Sequence, residues 1–263
     1  MRAGNIAFAA FSLLTLSGCF FTSIGLEHDE LRRSIDFGPP DTVRLCIFLD
    51  QGVTESRARE LLSSWDGEAP KYTLAVKPVS FQPLARSGFF HGSIVRQVGA
   101  QMLGPDCDRN LYFVGRNAGD FLWGDLAAVA LPLPEVLGEV EDATLTSGFV
   151  VATAISPNQL LLSPYTVTRH EIYHLLGCKQ HFDMPACYAE IAALKHRKRE
   201  LVADGFFHRI GEQPFYPTWD NLTDAMLVSR AAVDQVVTAG QVPAGAAGDG
   251  SYPAIARNAN LNP

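Results

Sequence analysis

No broad basic stripe runs through these 263 residues, in which 21 Lys and Arg stand against 28 Asp and Glu for a formal charge of -7. That absence argues against nucleic acid as a partner, because a phosphate backbone demands clustered cations. No internal repeat is found, which sets aside the solenoid and propeller architectures. An apolar run over residues 6–16 is too short to cross a bilayer as a helix, so it is not a membrane span. Beyond residue 240 there is too little apolar side chain to offset the entropy of ordering, and 241–263 reads as a disordered tail. Cysteines are few, at five.

What is present begins with an export signal. Arg2 supplies the positive end and residues 6–16 the apolar segment. Leu16-Ser17-Gly18-Cys19 then resembles the lipobox of bacterial lipoproteins, in which the cysteine becomes the lipidated first residue of the mature chain. The plainer alternative is an ordinary export signal with a chance cysteine. The resemblance implies a signal peptide at 1–18 and a lipid anchor at Cys19 in the cell envelope, with Phe20 favouring the outer membrane, facing the periplasm. With Cys19 set aside, Cys46, Cys107, Cys178 and Cys187 permit two disulfides in an oxidising compartment. Cys178 with Cys187 and Cys46 with Cys107 is the favoured pairing, buried free thiols being the alternative for the second pair.

Residues 19–40 are mixed and polar, end in Gly38-Pro39-Pro40, and suit a tether. A single domain is expected over 41–240. Within it, 42–49, 72–81, 110–114 and 148–154 read as strands, and 54–65 and 94–103 as helices, the first capped by Thr54. Strand, helix, strand, helix and further strands ahead of another major helix describe an α+β fold with a mixed sheet. A helix is also expected from 189 to about 207, and a short one at 229–238.

The chemistry gathers in Ser163-Pro164-Tyr165-Thr166-Val167-Thr168-Arg169-His170-Glu171-Ile172-Tyr173-His174-Leu175-Leu176-Gly177. Ser163 can cap a helix, Pro164 suits its first position, and Gly177 can take the left-handed stop. On that helix His170 and His174 are one turn apart and leave the same face, close enough to share a metal ion. Zinc takes neutral imidazole nitrogens and, at a catalytic site, keeps a position for water, whose pKa falls to about 7. Glu171, beside both, is the candidate general base for attack on a peptide carbonyl.

A third protein ligand is needed, and two residues offer themselves. His181 lies just past the helix end in Gly177-Cys178-Lys179-Gln180-His181. Residues 170–181 resemble the metzincin zinc signature, His-Glu-x-x-His-x-x-Gly-x-x-His, with one residue inserted before the last His. Gln180 occupies the expected ligand position, so the loop must bulge to present His181. A Cys178–Cys187 bridge would pin that loop. The resemblance further implies a methionine turn beneath the metal, for which Met226 in Asp224-Ala225-Met226-Leu227 stands in position. The second candidate is Glu200, which with Asp204 resembles the second motif of gluzincins, although it follows Lys195-His196-Arg197-Lys198-Arg199 and could serve surface ion pairs instead.

His91, His196 and His208 read as surface or loop histidines, Tyr173 as core, and Tyr216 as an oxyanion aid that no spacing supports. The basic run 195–199 reads as a solvated helix face, with contact to anionic lipid as the alternative. The run 148–154 is either a buried strand or, as the family resemblance implies, an exposed edge that binds substrate as an added strand. The reading is therefore a metzincin-like zincin fold with an active-site helix and a smaller C-terminal subdomain. Its expected activity is zinc-dependent endopeptidase, with metal ligands His170, His174 and His181, base Glu171, cofactor Zn2+, a peptide or protein substrate, and a monomeric state. A gluzincin-like peptidase using Glu200 and a non-catalytic zincin-fold lipoprotein are the rivals.

Overall fold

Alternating burial makes the first strand, β1 (Asp41–Leu49), the organiser of a sheet: Val43, Leu45 and Ile47 turn one way into the main core, while Cys46 turns the other. The computed structural model describes residues 24–88, 91–101, 103–104, 106–117, 120, 136–141, 144–153, 163–203 and 216–217. Cys19 and the leader, Asp204, His208, Met226, the 229–238 helix and the 241–263 tail lie outside them.

A short helix α1 (Asp29–Ser34) precedes β1. Then come α2 (Glu55–Leu62), β2 (Leu74–Pro83), α3 (His91–Ala100), β3 (Arg109–Val114), β4 (Gly138–Val140), β5 (Ser147–Val151), α4 (Pro164–Leu175) and α5 (Met184–Ala203). The expected cap of α2 is in place, with Thr54 accepting from the Arg57 N–H. Five strands form a sheet in the order β2-β1-β3-β5-β4. Four are parallel, and β4 alone runs antiparallel, pairing Gly138 with Val150 and Val140 with Gly148. The fold is thus mixed α/β, in agreement with the expected sheet and helices.

Both faces of the sheet are covered, which is why all six residues of β3 are buried. On one face Leu45, Ile47, Leu111, Phe113 and Val150 meet Leu61 and Trp65, Ile172 and Tyr173 of α4, and Tyr188 and Ile191 of α5. On the other, Tyr112, Val114, Phe149 and Val151 pack on Ile94 and Val98 of α3. β5 sits between β3 and β4 and is buried throughout, so the run read as a possible substrate-binding edge is an inner strand and β4 is the edge. β2 forms the opposite edge, carries Pro78 and Pro83, and has a register shift opposite Leu45 and Cys46.

Two sequence expectations meet a different structure. Residues 24–40, read as part of a tether, lie on the domain: Ile24 and Phe37 are in the main core. The segment has apolar anchors that its polar average conceals. The basic run 195–199 is not uniformly solvated, because Lys195 is buried with its ammonium donating to the Tyr72 and Thr73 carbonyls at 2.8 Å each. Lys198 is buried as well, paired with Asp41 at 2.9 Å and lying over the Tyr216 ring. Paired or solvated by carbonyls, a lysine enters a core that a bare charge could not.

Both favoured cysteine pairings are present, Cys46 with Cys107 and Cys178 with Cys187. Among the described residues no helix is long and apolar enough to cross a membrane.

Candidate metal centre

Local sequence builds α4 as expected. The Ser163 hydroxyl accepts from the Thr166 N–H at 3.2 Å, Pro164 occupies the first turn, and Gly177 takes φ 102° just past the end. The Gly177 N–H then donates to the His174 carbonyl and the Cys178 N–H to the Tyr173 carbonyl, which closes the helix and turns the chain back. Asp183 precedes the next helix, α5, and its carboxylate accepts from the Ala186 N–H at 3.0 Å. Residues 178–183 therefore form a short loop held at both ends by helix caps and across its base by the Cys178–Cys187 bridge.

That loop brings His181 to the face of α4 that carries His170 and His174. Three Nε2 atoms converge: His170 and His181 are 3.0 Å apart, His170 and His174 3.2 Å, and His174 and His181 3.3 Å. Zinc–nitrogen bonds of about 2.0–2.1 Å at tetrahedral angles place ligand nitrogens about 3.3 Å apart, so the spacing fits such an ion. The other nitrogen of His174, Nδ1, lies 2.5 Å from the Cys178 carbonyl oxygen. A carbonyl can only accept, so that nitrogen bears the proton and the Nε2 lone pair is directed into the cluster. The loop turns through Phe182 at φ 68°. Exposure grades across the cluster, from buried His174 to exposed His181, so the centre opens to solvent on the loop side.

Glu171 is almost fully buried, at 4% exposure, and lies against the edge strand β4. A Cβ on Gly138 would come within 2.6 Å of the Glu171 Oε1 and 2.7 Å of its Cγ. The carboxylate thus occupies room that only a glycine at 138 leaves. Burial, with a smaller contribution from the Glu139 carboxylate, holds the Glu171 carboxyl well above the usual range. A cation at the imidazoles would act in the opposite direction.

Behind the cluster, α4 is clamped by groups with no counterpart in the sequence reading. The Glu68 carboxylate accepts from the Tyr173 hydroxyl at 2.7 Å and the Arg169 guanidinium at 3.2 Å, while the Trp65 indole N–H donates to the Arg169 carbonyl at 3.0 Å. Tyr173 is accordingly core, as expected. At the helix C-terminus the buried Arg109 side chain donates to the carbonyls of Leu175, Tyr216 and Pro217 at 2.7, 2.8 and 2.8 Å. Burial lowers its pKa to about 10, so it remains a cation at neutral pH and complements the negative end of the helix. One signal for it was available: a charge pair, Asp108-Arg109, at the head of an apolar strand run.

The remaining sequence candidates fall elsewhere. Glu200 is on the exposed side of α5, 3.0 Å from Arg197 and 3.4 Å from His196, and is not part of the cluster. His196 is a surface residue. Tyr216 is buried among Lys198 and Arg109. Among the described residues, His170, His174 and His181 are the group that could hold a metal ion. No known protein family, characterised protein or solved structure matches this chain.

Proposed function

We propose that this chain is a zinc-dependent endopeptidase of the bacterial cell envelope, of metzincin type, held at the membrane by lipid on Cys19 and acting as a monomer. One observation carries the reading: three imidazole nitrogens converge within 3.0–3.3 Å of one another on a helix that also bears a buried glutamate. Nitrogen donors at this spacing suit zinc better than the oxygen-seeking cations, and three protein ligands leave a tetrahedral ion one open position. The mixed sheet and paired helices are what a zincin fold requires, and two disulfides suit an oxidising compartment.

When bound, zinc supplies polarisation of the scissile carbonyl and acidification of water. His170, His174 and His181 would hold it, and the Cys178 carbonyl orients His174 for that task. Glu171 takes a proton from the attacking water on a carboxylate oxygen and returns it to the leaving amine. Its burial excludes competing water, and Gly138 keeps its place free. Glu200, ion-paired on the surface, has no observation in its favour as a ligand.

The test is bound zinc and hydrolysis of an unfolded protein or peptide library by the purified mature chain. Glu171→Gln should keep zinc and lose at least about a hundredfold in turnover. His181→Ala should lose zinc, while Glu200→Ala should keep both zinc and activity. A wild-type protein that holds zinc and cleaves nothing would be the non-catalytic lipoprotein instead. A folded protein that refuses zinc at neutral pH would end the proposal.

A further inference from the structure

We infer that the mouth of the metal site rests on a lipid bilayer, with Leu26 and Phe182 as the side chains that enter it. The inference depends on the lipid-anchored reading of Cys19 and extends it, since a lipid on a tether would leave the site free in solution.

Leu26 and Phe182 are 63% and 65% exposed, the two most exposed large apolar side chains among the described residues. The two segments that carry them touch. The Phe182 N–H donates to the Ile24 carbonyl at 2.9 Å, and a Cβ on Gly25 would lie 3.0 Å from the Phe182 Cα. Leu26 follows that contact directly, and His181, the outermost of the three imidazoles, precedes Phe182 with its ring centroid 6.2 Å from the phenyl ring.

Phe182 also sits at φ 68°, a conformation that glycine or asparagine takes easily and a bulky residue does not. An aromatic ring held there and exposed to solvent contributes little burial to the isolated fold. Such a residue points to a contact outside the monomer.

The sequence limits what that contact is. Leu26 is seven residues from Cys19. At about 3.5 Å per residue, the patch stands no more than about 25 Å from an acylated cysteine. The acyl chains hold the protein at the surface, so a small apolar patch suffices to set its orientation. Two of the acidic residues near Leu26 are countered locally, Glu27 by Lys71 at 2.9 Å and Asp29 by Arg32 at 2.7 Å. In this orientation the substrates within reach are polypeptide segments lying on the membrane surface or just emerging from it.

The experiment uses the full mature chain, with acylation checked by mass, in vesicles of phosphatidylethanolamine and phosphatidylglycerol with or without brominated acyl chains. Tryptophan is placed by Phe182→Trp, Leu26→Trp and, as a control on the edge strand β2, Val79→Trp. The emission that each variant adds to that of the wild-type chain, which has three tryptophans of its own, should be quenched by brominated lipid at least roughly threefold more in the first two than in the third. Equal quenching overturns the inference. So does an emission change that follows protein concentration instead of lipid, which would assign the patch to a second copy, and so does a mature chain without the lipid. Zinc content and hydrolysis are read in the same samples. Quenching without zinc leaves the membrane contact standing and removes the peptidase, and an active zinc enzyme without quenching does the reverse.

Discussion

Gly138 and Glu190 show how single positions bear on the centre without belonging to it. Gly138 leaves the volume that the Glu171 carboxylate fills, and the clash of an added methyl is with the side chain whose position matters most. Gly138→Ala should cost about 1–3 kcal/mol in denaturant unfolding. It should also lower turnover at least tenfold with little change in bound zinc, because the three atoms nearest the added methyl belong to Glu171 and Val167. Glu190 is half-buried on α5, and its carboxylate accepts from the Lys179 N–H at 3.3 Å, tying the loop that carries His181 to the helix. Burial raises its pKa to about 7 from the ordinary 4.5. The native state therefore binds the proton more tightly than the unfolded chain, and stability is lost as pH rises from about 4.5 to about 7. Glu190→Gln should flatten that part of the pH–stability curve, by about 1–2 kcal/mol over the window once solvent screening of a half-exposed group is allowed for.

At the scale of elements, α4 is a helix held from behind so that its front can be exact in geometry. Arg109 neutralises three carbonyls around its C-terminus, and Glu68 fixes its roll through Arg169 and Tyr173. Arg109→Met leaves those carbonyls buried without a donor and should cost about 3 kcal/mol in urea unfolding. Lysine should recover only part of that, because it lacks the guanidinium fork. Local chemistry made much of this region legible in the sequence. Ser163, Pro164 and Gly177 mark both ends of α4, the histidine spacing gives the face, and the alternating or apolar runs give β1, β2, β3 and β5. The rest depends on distance along the chain. Gly138 lies in a three-residue strand too short to show alternation, and it matters only because β4 pairs with β5 under α4. Glu68 and Arg109 reach their partners across 105 and 66 residues, and nothing near them in sequence names those partners. The segment 24–40 looked like a tether because two buried apolar residues do not outweigh a polar average.

The molecule as a whole places its two covalent bridges differently. Cys46–Cys107 spans a sequence separation of 61 and joins strand β1 to the entry of β3. Cys178–Cys187 spans 9 and encloses His181, while the Cys178 carbonyl holds His174. Reduction by a dithiol, or a paired Cys178→Ser and Cys187→Ser change, should weaken zinc binding about 10–100-fold in competition with a chromogenic chelator. The paired change at Cys46 and Cys107 should instead lower global stability by about 4 kcal/mol and leave zinc affinity unchanged.

The outer strand β2 has its own consequence for how copies of this chain coexist. Leu84 turns its N–H inward to the Leu49 carbonyl, so the preceding position, Pro83, faces outward where a neighbour's strand would seek a donor, and proline has none. Molecules crowded side by side on a surface therefore meet a missing donor at that end of the flank, which works against extending the sheet from one copy to the next.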